Sequence, residues 1–141
     1  MTKIARRTDI DADGFLDVVL HADNKVCEIA GRIESPEYLA QIVANDPKCT
    51  GAVRLIACLT GNTTGVTVCF AQRFANALKN EMVLLGKAGD VRVLGTNGMW
   101  MALNNGTHFP VPAKLVNGKW VENYDLNAPK AEIITFTPQV K

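Results

Sequence analysis

The chain has 141 residues, 48% hydrophobic and 21% charged, with 15 Lys and Arg against 14 Asp and Glu. That balance suits one globular core over 1–141 and excludes disordered and collagen-like classes, because a domain of this length buries roughly two thirds of its unfolded surface. A net charge of +1 lacks the basic excess with which nucleic-acid binders attract polyanions, and no run of about 18 apolar residues offers a membrane span; neither nucleic acid nor membrane is expected as a partner.

The first residues, MTKIARRTDIDADG, turn acidic where a signal peptide would need an apolar segment. Phe15 to Leu20 (FLDVVL) follows as a short apolar run bounded by Asp13-Gly14 and His21-Ala22-Asp23-Asn24, which predicts a buried strand. Lys25 to Ile33 (KVCEIAGRI) alternates less cleanly and holds Gly31, as a hairpin or irregular connector would. Ser35-Pro36-Glu37 is a helix start: Ser caps free backbone N–H groups, Pro suits the first helical position, and an early Glu complements the dipole. Leu39, Ile42 and Val43 then share a face, predicting a helix from Pro36 to near Ala44 that Asp46-Pro47 ends.

Val53 to Ala57 reads as a second central strand. Beyond the polar loop Thr60 to Gly65, Val66, Phe70, Phe74 and Leu78 recur near helical spacing, and Ala71, Ala75 and Ala77 add helix propensity. Met82 to Leu85 is expected as a third strand. Strand, helix, strand, helix, strand in this order predicts a right-handed unit with a central, mainly parallel sheet and helices on both faces, a three-layer α/β sandwich. From Gly86 onward, the short apolar runs VRVL, MWMAL, AKLV, KWV and EIITF are separated by Gly-Asp, Asn-Gly and Asn-Asn-Gly. Those dipeptides are hairpin turns, so the C-terminal third is expected to be antiparallel. His108 falls in the loop that Asn104 to Thr107 begin, and Trp100 and Trp120 are expected to pack.

Four cysteines, Cys27, Cys49, Cys58 and Cys69, show no CxxC spacing, so reduced and mostly buried thiols are expected. In parallel α/β sheets, ligands collect at the carboxyl ends of strands. FLDVVL runs into His21 there and VRLIA into Cys58. If the two strands are neighbours in register, an imidazole and a thiol project from one edge, the arrangement a thiol nucleophile needs for its proton to be taken. The backbone N–H groups of Cys58 and of Ala22 or Asp23, in the turn after the histidine, are the natural donors to a developing oxyanion. From residues alone the alternative is as strong, since a cysteine closing an apolar strand packs as readily as it reacts.

An apolar block ending in His and a later one ending in Ala-Cys, here LDVVLHA and VRLIAC, resemble the caspase-like cysteine peptidases. The resemblance implies a caspase-like fold with His21 as general base and Cys58 as nucleophile. Ala22 stands where that family usually has Gly, which narrows the conformations open to the oxyanion turn. A second resemblance runs from Phe15 to Trp120: RLIACLTG, then FAQRFANALKNEMVLL, then a Gly-Lys-Trp turn, are similar to C-terminal effector domains of bacterial polymorphic toxins of contact-dependent or Rhs type. It implies a domain of a larger secreted protein that acts on a protein or peptide in the cytoplasm of a target bacterium, with a cognate immunity protein as partner.

The expected chemistry is therefore that of a cysteine peptidase or related acyl-transfer enzyme, needing no metal or organic cofactor, with Thr60, Gly61 and Gln72 as candidate site-lining residues. The rival reading takes Thr60 to Gly65 as a flavodoxin-like loop in which hydroxyls and N–H groups hold an FMN phosphate.

Overall fold

The strand runs read from the sequence assemble into one five-stranded sheet with three short hairpin sheets beside it. The computed structural model describes residues 5–6, 14–102 and 108–139. In chain order the elements are β1 (Ala5–Arg6), β2 (Leu16–Val19), β3 (Cys27–Ile29), β4 (Arg32–Glu34), α1 (Pro36–Ala44), β5 (Ala52–Ile56), α2 (Phe70–Leu84), β6 (Arg92–Thr96), β7 (Met99–Ala102), β8 (His108–Val111), β9 (Ala113–Val116), β10 (Lys119–Glu122) and β11 (Ile133–Phe136). The large sheet has the order β1-β2-β5-β6-β11. Its centre, β2-β5-β6, is parallel, and the outer strands β1 and β11 run antiparallel to their neighbours. The fold is thus mixed α/β, as expected, with the antiparallel C-terminal region present as β7-β8, β9-β10 and β11.

The pleat sorts the parallel strands cleanly. Leu16, Val18 and Leu20 of the β2 segment, Val53, Leu55 and Ala57 of the β5 segment, and Val93 of β6 all enter one apolar core with Phe70, Phe74, Leu78 and Met82 of α2 and Leu39, Ala40 and Val43 of α1. Gly95 of β6 completes the contact: a Cβ there would lie 2.8 Å from Thr60 Oγ1 and 3.0 Å from Ala71 Cβ, so no side chain fits where sheet, loop and α2 meet.

Two sequence expectations change. Met82 to Leu85 is the end of α2 and not a strand; nothing between Leu78 and Gly86 breaks the helix, and Met82 extends the buried Phe70, Phe74, Leu78 stripe by one more turn. The other three apolar residues of that run stay exposed, Val83 at 62%, Leu84 at 79% and Leu85 at 46%. The third parallel strand is instead β6, from the VRVL run expected among the hairpins. Helices were also expected on both faces of the sheet, whereas α1 and α2 pack on each other and share one core. Strand order β2-β5-β6 advances in one direction, so two right-handed crossovers deliver both helices to the same face.

The helices are locally well specified. Ser35 Oγ accepts the Tyr38 N–H at 3.1 Å and Pro36 opens α1. At the other end Lys87 Nζ donates to the carbonyls of Ala44 (2.6 Å) and Asp46 (3.0 Å), placing a cation on the negative helix terminus. Arg73 of α2 grips Glu37 of α1 through Nε (3.0 Å) and Nη2 (2.6 Å). Both side chains are partly exposed, so this pair contributes orientation more than energy, about 0–1 kcal/mol. The Asn104 to Thr107 turn lies outside the described residues; the backbone of His108 begins β8.

Candidate functional site at the carboxyl edge of the parallel strands

The loops that leave β2, β5 and β6 form one rim. The β2-β5 ladder pairs Leu16 with Val53 and ends at Val19 with Ile56; His21 follows the end of one strand by two residues, and Cys58 follows the end of the other by two, in the turn that closes β5. Leu20 and Ala57, just before them, enter the helix-side core, whereas His21 and Cys58 do not. Within the strands, alternation puts Asp17, Val19, Arg54 and Ile56 on the face away from the helices, and His21 and Cys58 lie just beyond the strand ends.

His21 is exposed, and its carbonyl accepts the Glu28 N–H at 3.0 Å. Ala22 bridges Cys27, and Asp23 donates its N–H to Val26 O at 3.0 Å, so the chain enters a hairpin directly after the histidine. Ala22 and Cys27 form the non-hydrogen-bonded pair of this ladder, in which the N–H and C=O groups point away from the partner strand. Among the described residues neither the Ala22 nor the Cys58 N–H has an acceptor, whereas the N–H of Asp23, the alternative oxyanion donor from the sequence, is taken by Val26 O. An open depression of about 170 Å³ lies beside His21, lined by Asp23, Val26, Cys27, Glu28 and Ile33; its lining does not include Cys58.

Cys58 is half-buried at the turn that ends β5, and its Sγ accepts the Trp100 N–H at 3.4 Å. Burial pushes the thiol pKa up, the Trp100 N–H opposes the rise, and the Glu122 carboxylate adds to it. The thiol is therefore protonated at neutral pH and needs a base to react. No hydrogen bond joins Cys58 to His21 among the described residues. All four cysteines are free. Cys27 is pushed up to about 12 by burial and by the Glu34 and Asp23 carboxylates, and burial raises Cys49 as well, so both are poor nucleophiles.

The three candidate lining residues do not open on the rim. Leu59 N–H donates to Gly98 O and Gly61 N–H to Thr96 O, both at 2.8 Å, which folds the segment after Cys58 against the β6–β7 connection. Thr60 is sealed at 0% exposure with its Oγ1 unpartnered, and Gly61 is buried where a Cβ would meet the Phe136 ring at 3.3 Å. Gln72 Nε2 turns to the C-terminal segment, donating to Thr137 O at 2.7 Å and to Asn76 Oδ1 at 3.0 Å. In the loop that follows, Asn62 and Thr64 are engaged in internal hydrogen bonds, and α2 starts only at Phe70 with Cys69 as a buried N-cap that makes no side-chain capping bond. Thr60 and Gly61 are thus withdrawn into the interior, while Thr63, Thr64 and Gly65 remain exposed.

Sequence reading missed three features of the rim. Trp100 and Glu122 act on Cys58 from β7 and β10, which no local pattern ties to it. Asn24, Asn62 and Asn97 read as ordinary turn residues, yet they link the loops after β2, β5 and β6 by side-chain hydrogen bonds. Among the described residues no group of three His, Cys, Asp or Glu side chains could hold a metal ion, and no helix is long and apolar enough to cross a membrane.

Residues 2–110 match the model of a family described as a domain of unknown function, DUF8616. The chain belongs to this family. The match takes in the whole parallel unit, with His21, Cys58 and the three asparagines, and ends inside β8, ahead of β9, β10 and Glu122. No curated protein and no solved structure matches the chain.

Proposed function

We propose that the domain is a thiol acyl-transfer hydrolase, a cysteine peptidase or amidase of caspase-like fold, with Cys58 as nucleophile and His21 as general base. The observation that supports this reading is the β2-β5 register, in which His21 and Cys58 each follow the last ladder pair, Val19 and Ile56, by two residues at the carboxyl edge of the sheet. The caspase-like fold rests on LDVVLHA and VRLIAC as they fall on these adjacent strands; the layer opposite the sheet from α1 and α2 would then be built from the C-terminal hairpins.

The chemistry follows from the groups at the rim. An imidazole nitrogen of His21 takes the Cys58 Sγ–H proton while Sγ forms a bond to the substrate carbonyl carbon. The Ala22 and Cys58 N–H groups receive the oxyanion. The C–N bond breaks as the imidazolium returns the proton to the leaving amine, giving a thioester. Water, deprotonated by His21, then attacks, and the carboxylic acid leaves as Sγ regains its proton. A thiol with a raised pKa makes the base indispensable, and base–nucleophile hydrogen bonds in ligand-free sites commonly close only on substrate.

The resemblance of RLIACLTG and FAQRFANALKNEMVLL to polymorphic-toxin effectors supports deployment as the delivered part of a larger secreted protein, acting on a protein or peptide in the target-cell cytoplasm and restrained by an immunity protein. Production of the domain inside bacteria tests the whole reading. Wild type should arrest growth while Cys58→Ala and His21→Ala, folded to the same melting temperature, should not; full toxicity of both variants would remove the dyad.

A further inference from the structure

We infer that Asn24 is a positioning residue for this dyad, its side-chain amide clamping the segment that carries His21 to the segment that carries Cys58; this rests on the function proposed above. Asn24 occupies the tip of the Asp23–Val26 turn, three residues after His21. Turn tips normally face water. Lys25 beside it is exposed, yet Asn24 is only 5% exposed.

Its side chain is turned inward onto the neighbouring loop. Nδ2 donates to the Thr64 carbonyl at 2.7 Å and approaches Asn62 Oδ1 at 3.4 Å, so both acceptors lie in the loop that Cys58 opens. Asn62 carries the link onward. Its Oδ1 accepts the Thr64 N–H at 2.9 Å and its Nδ2 donates to Asn97 O at 3.0 Å, while Asn97 Oδ1 accepts the Glu132 N–H at 2.9 Å. Three amides thus run across the loops after β2, β5 and β6. Elsewhere the His21 segment is held by its own turn, where Asp23 Oδ1 accepts the Lys25 and Val26 N–H groups at 2.7 and 2.8 Å, and by Arg73 Nη1 on Lys25 O at 3.4 Å. Neither of those ties reaches the Cys58 loop. A buried amide is suited to the task because it brings two donors to a carbonyl and an amide oxygen at once; a carboxylate in its place would face both acceptors with like charge.

The register leaves His21 and Cys58 each two residues beyond the last ladder pair, so their separation depends on how the two loops leave their strands. Displacing reacting groups by about 1 Å can cost on the order of a hundredfold in rate. Asn24 bears on that separation without touching either reacting atom.

Acylation by p-nitrophenyl acetate tests this without a known substrate. Cys58 Sγ bonds to the acetyl carbon, the C–O bond to nitrophenolate breaks, His21 takes the thiol proton, and the thioester is assigned to Cys58 by peptide mass spectrometry. Rates across pH are compared for wild type, Asn24→Ala, His21→Ala, the Asn24→Ala/His21→Ala double variant and Cys58→Ala. Asn24→Ala should slow Cys58 acylation about tenfold and reduce the limb of the pH profile that His21→Ala abolishes, yet cost nothing further in the His21→Ala background. Asn24→Asp, which keeps the volume, should be as slow as Asn24→Ala. Protection of buried Cys49 from alkylation checks that each variant is folded, and Asn62→Ala replaces any that is not. A wild-type rate for the Asn24 variants, or the same loss with and without His21, overturns the clamp while leaving the dyad. Unchanged rates for His21→Ala and Cys58→Ala mark the separate failure of the proposed function, and the clamp falls with it.

Discussion

The two faces of the central sheet are built on different terms. Toward the helices, Leu16, Val18, Val53, Leu55 and Val93 meet Phe70, Phe74 and Leu39 with no polar side chain from the parallel strands between them. On the other face Arg54 pairs with buried Asp17 at 2.8 Å, and both Arg54 and Arg92 lie over the Phe15 ring, 5.6 and 5.1 Å from its centroid. His21 and Cys58 lie just beyond the carboxyl ends of β2 and β5. Cohesion is concentrated on the first face, and charge and reactivity on the second, so substitutions on the two should separate stability from chemistry.

The largest effect is expected from the helix side. Phe74→Ala, emptying a fully buried site between α2 and the sheet, should cost about 3–5 kcal/mol in chemical denaturation and leave little folded protein at 37 °C. Across the sheet, Arg54→Met removes the guanidinium 2.8 Å from a buried carboxylate and should cost about 3 kcal/mol, less if Asp17 is changed to Asn in the same chain, because the buried charge is then gone. Measuring the single and the double variant would show whether the second face contributes stability beyond its charge pair.

Smaller effects should appear at the thiols. Glu122→Gln removes a carboxylate that raises the Cys58 pKa, so Cys58 should be alkylated severalfold faster near neutral pH with no loss of melting temperature. An unchanged rate would mean that burial alone holds the thiol up. Cys27 gives a stability signal with a definite sign. Its folded pKa, about 12, lies above its ordinary value of 9.0, so the folded state keeps a proton that the unfolded chain releases. The contribution is intact below about pH 9 and is lost as pH rises toward 12. The melting temperature should fall over that window, and Cys27→Ala should flatten the fall without altering Cys58 acylation.

Where the sequence carried local signals, they located the elements. Ser35-Pro36-Glu37 marked the start of α1 through capping chemistry that needs no tertiary partner, and Asn117-Gly118, both with positive φ, marked the β9–β10 turn. Where two apolar runs each led into a reactive side chain, pattern pointed to the rim, and the register shows that the two runs pair in parallel as far as Val19 and Ile56. What failed was whatever depends on long-range competition. MVLL is apolar enough for a strand, yet helical phase from Phe70 claims it, and VRVL becomes a central parallel strand only because β5 offers an edge. Thr60 and Gly61 looked like open loop residues because nothing local reveals that Thr96 and Gly98 will take their segment into the interior. Asn24 was illegible for the same reason: an asparagine in a turn looks solvated until the loop forty residues away is placed against it.

The central claim is that the groups at 21 and 58 meet at one rim on one face. Replacement His21→Cys tests it most directly, because a disulfide forms only between positions whose Cα atoms come within roughly 4.4–6.8 Å of each other. Mild oxidation of this variant should give a single crosslinked peptide pair joining position 21 to Cys58, with Cys27, Cys49 and Cys69 still free. If position 21 instead stays reduced, or pairs with another cysteine while Cys58 remains alkylatable, the two groups do not share the rim and the proposed chemistry has no base.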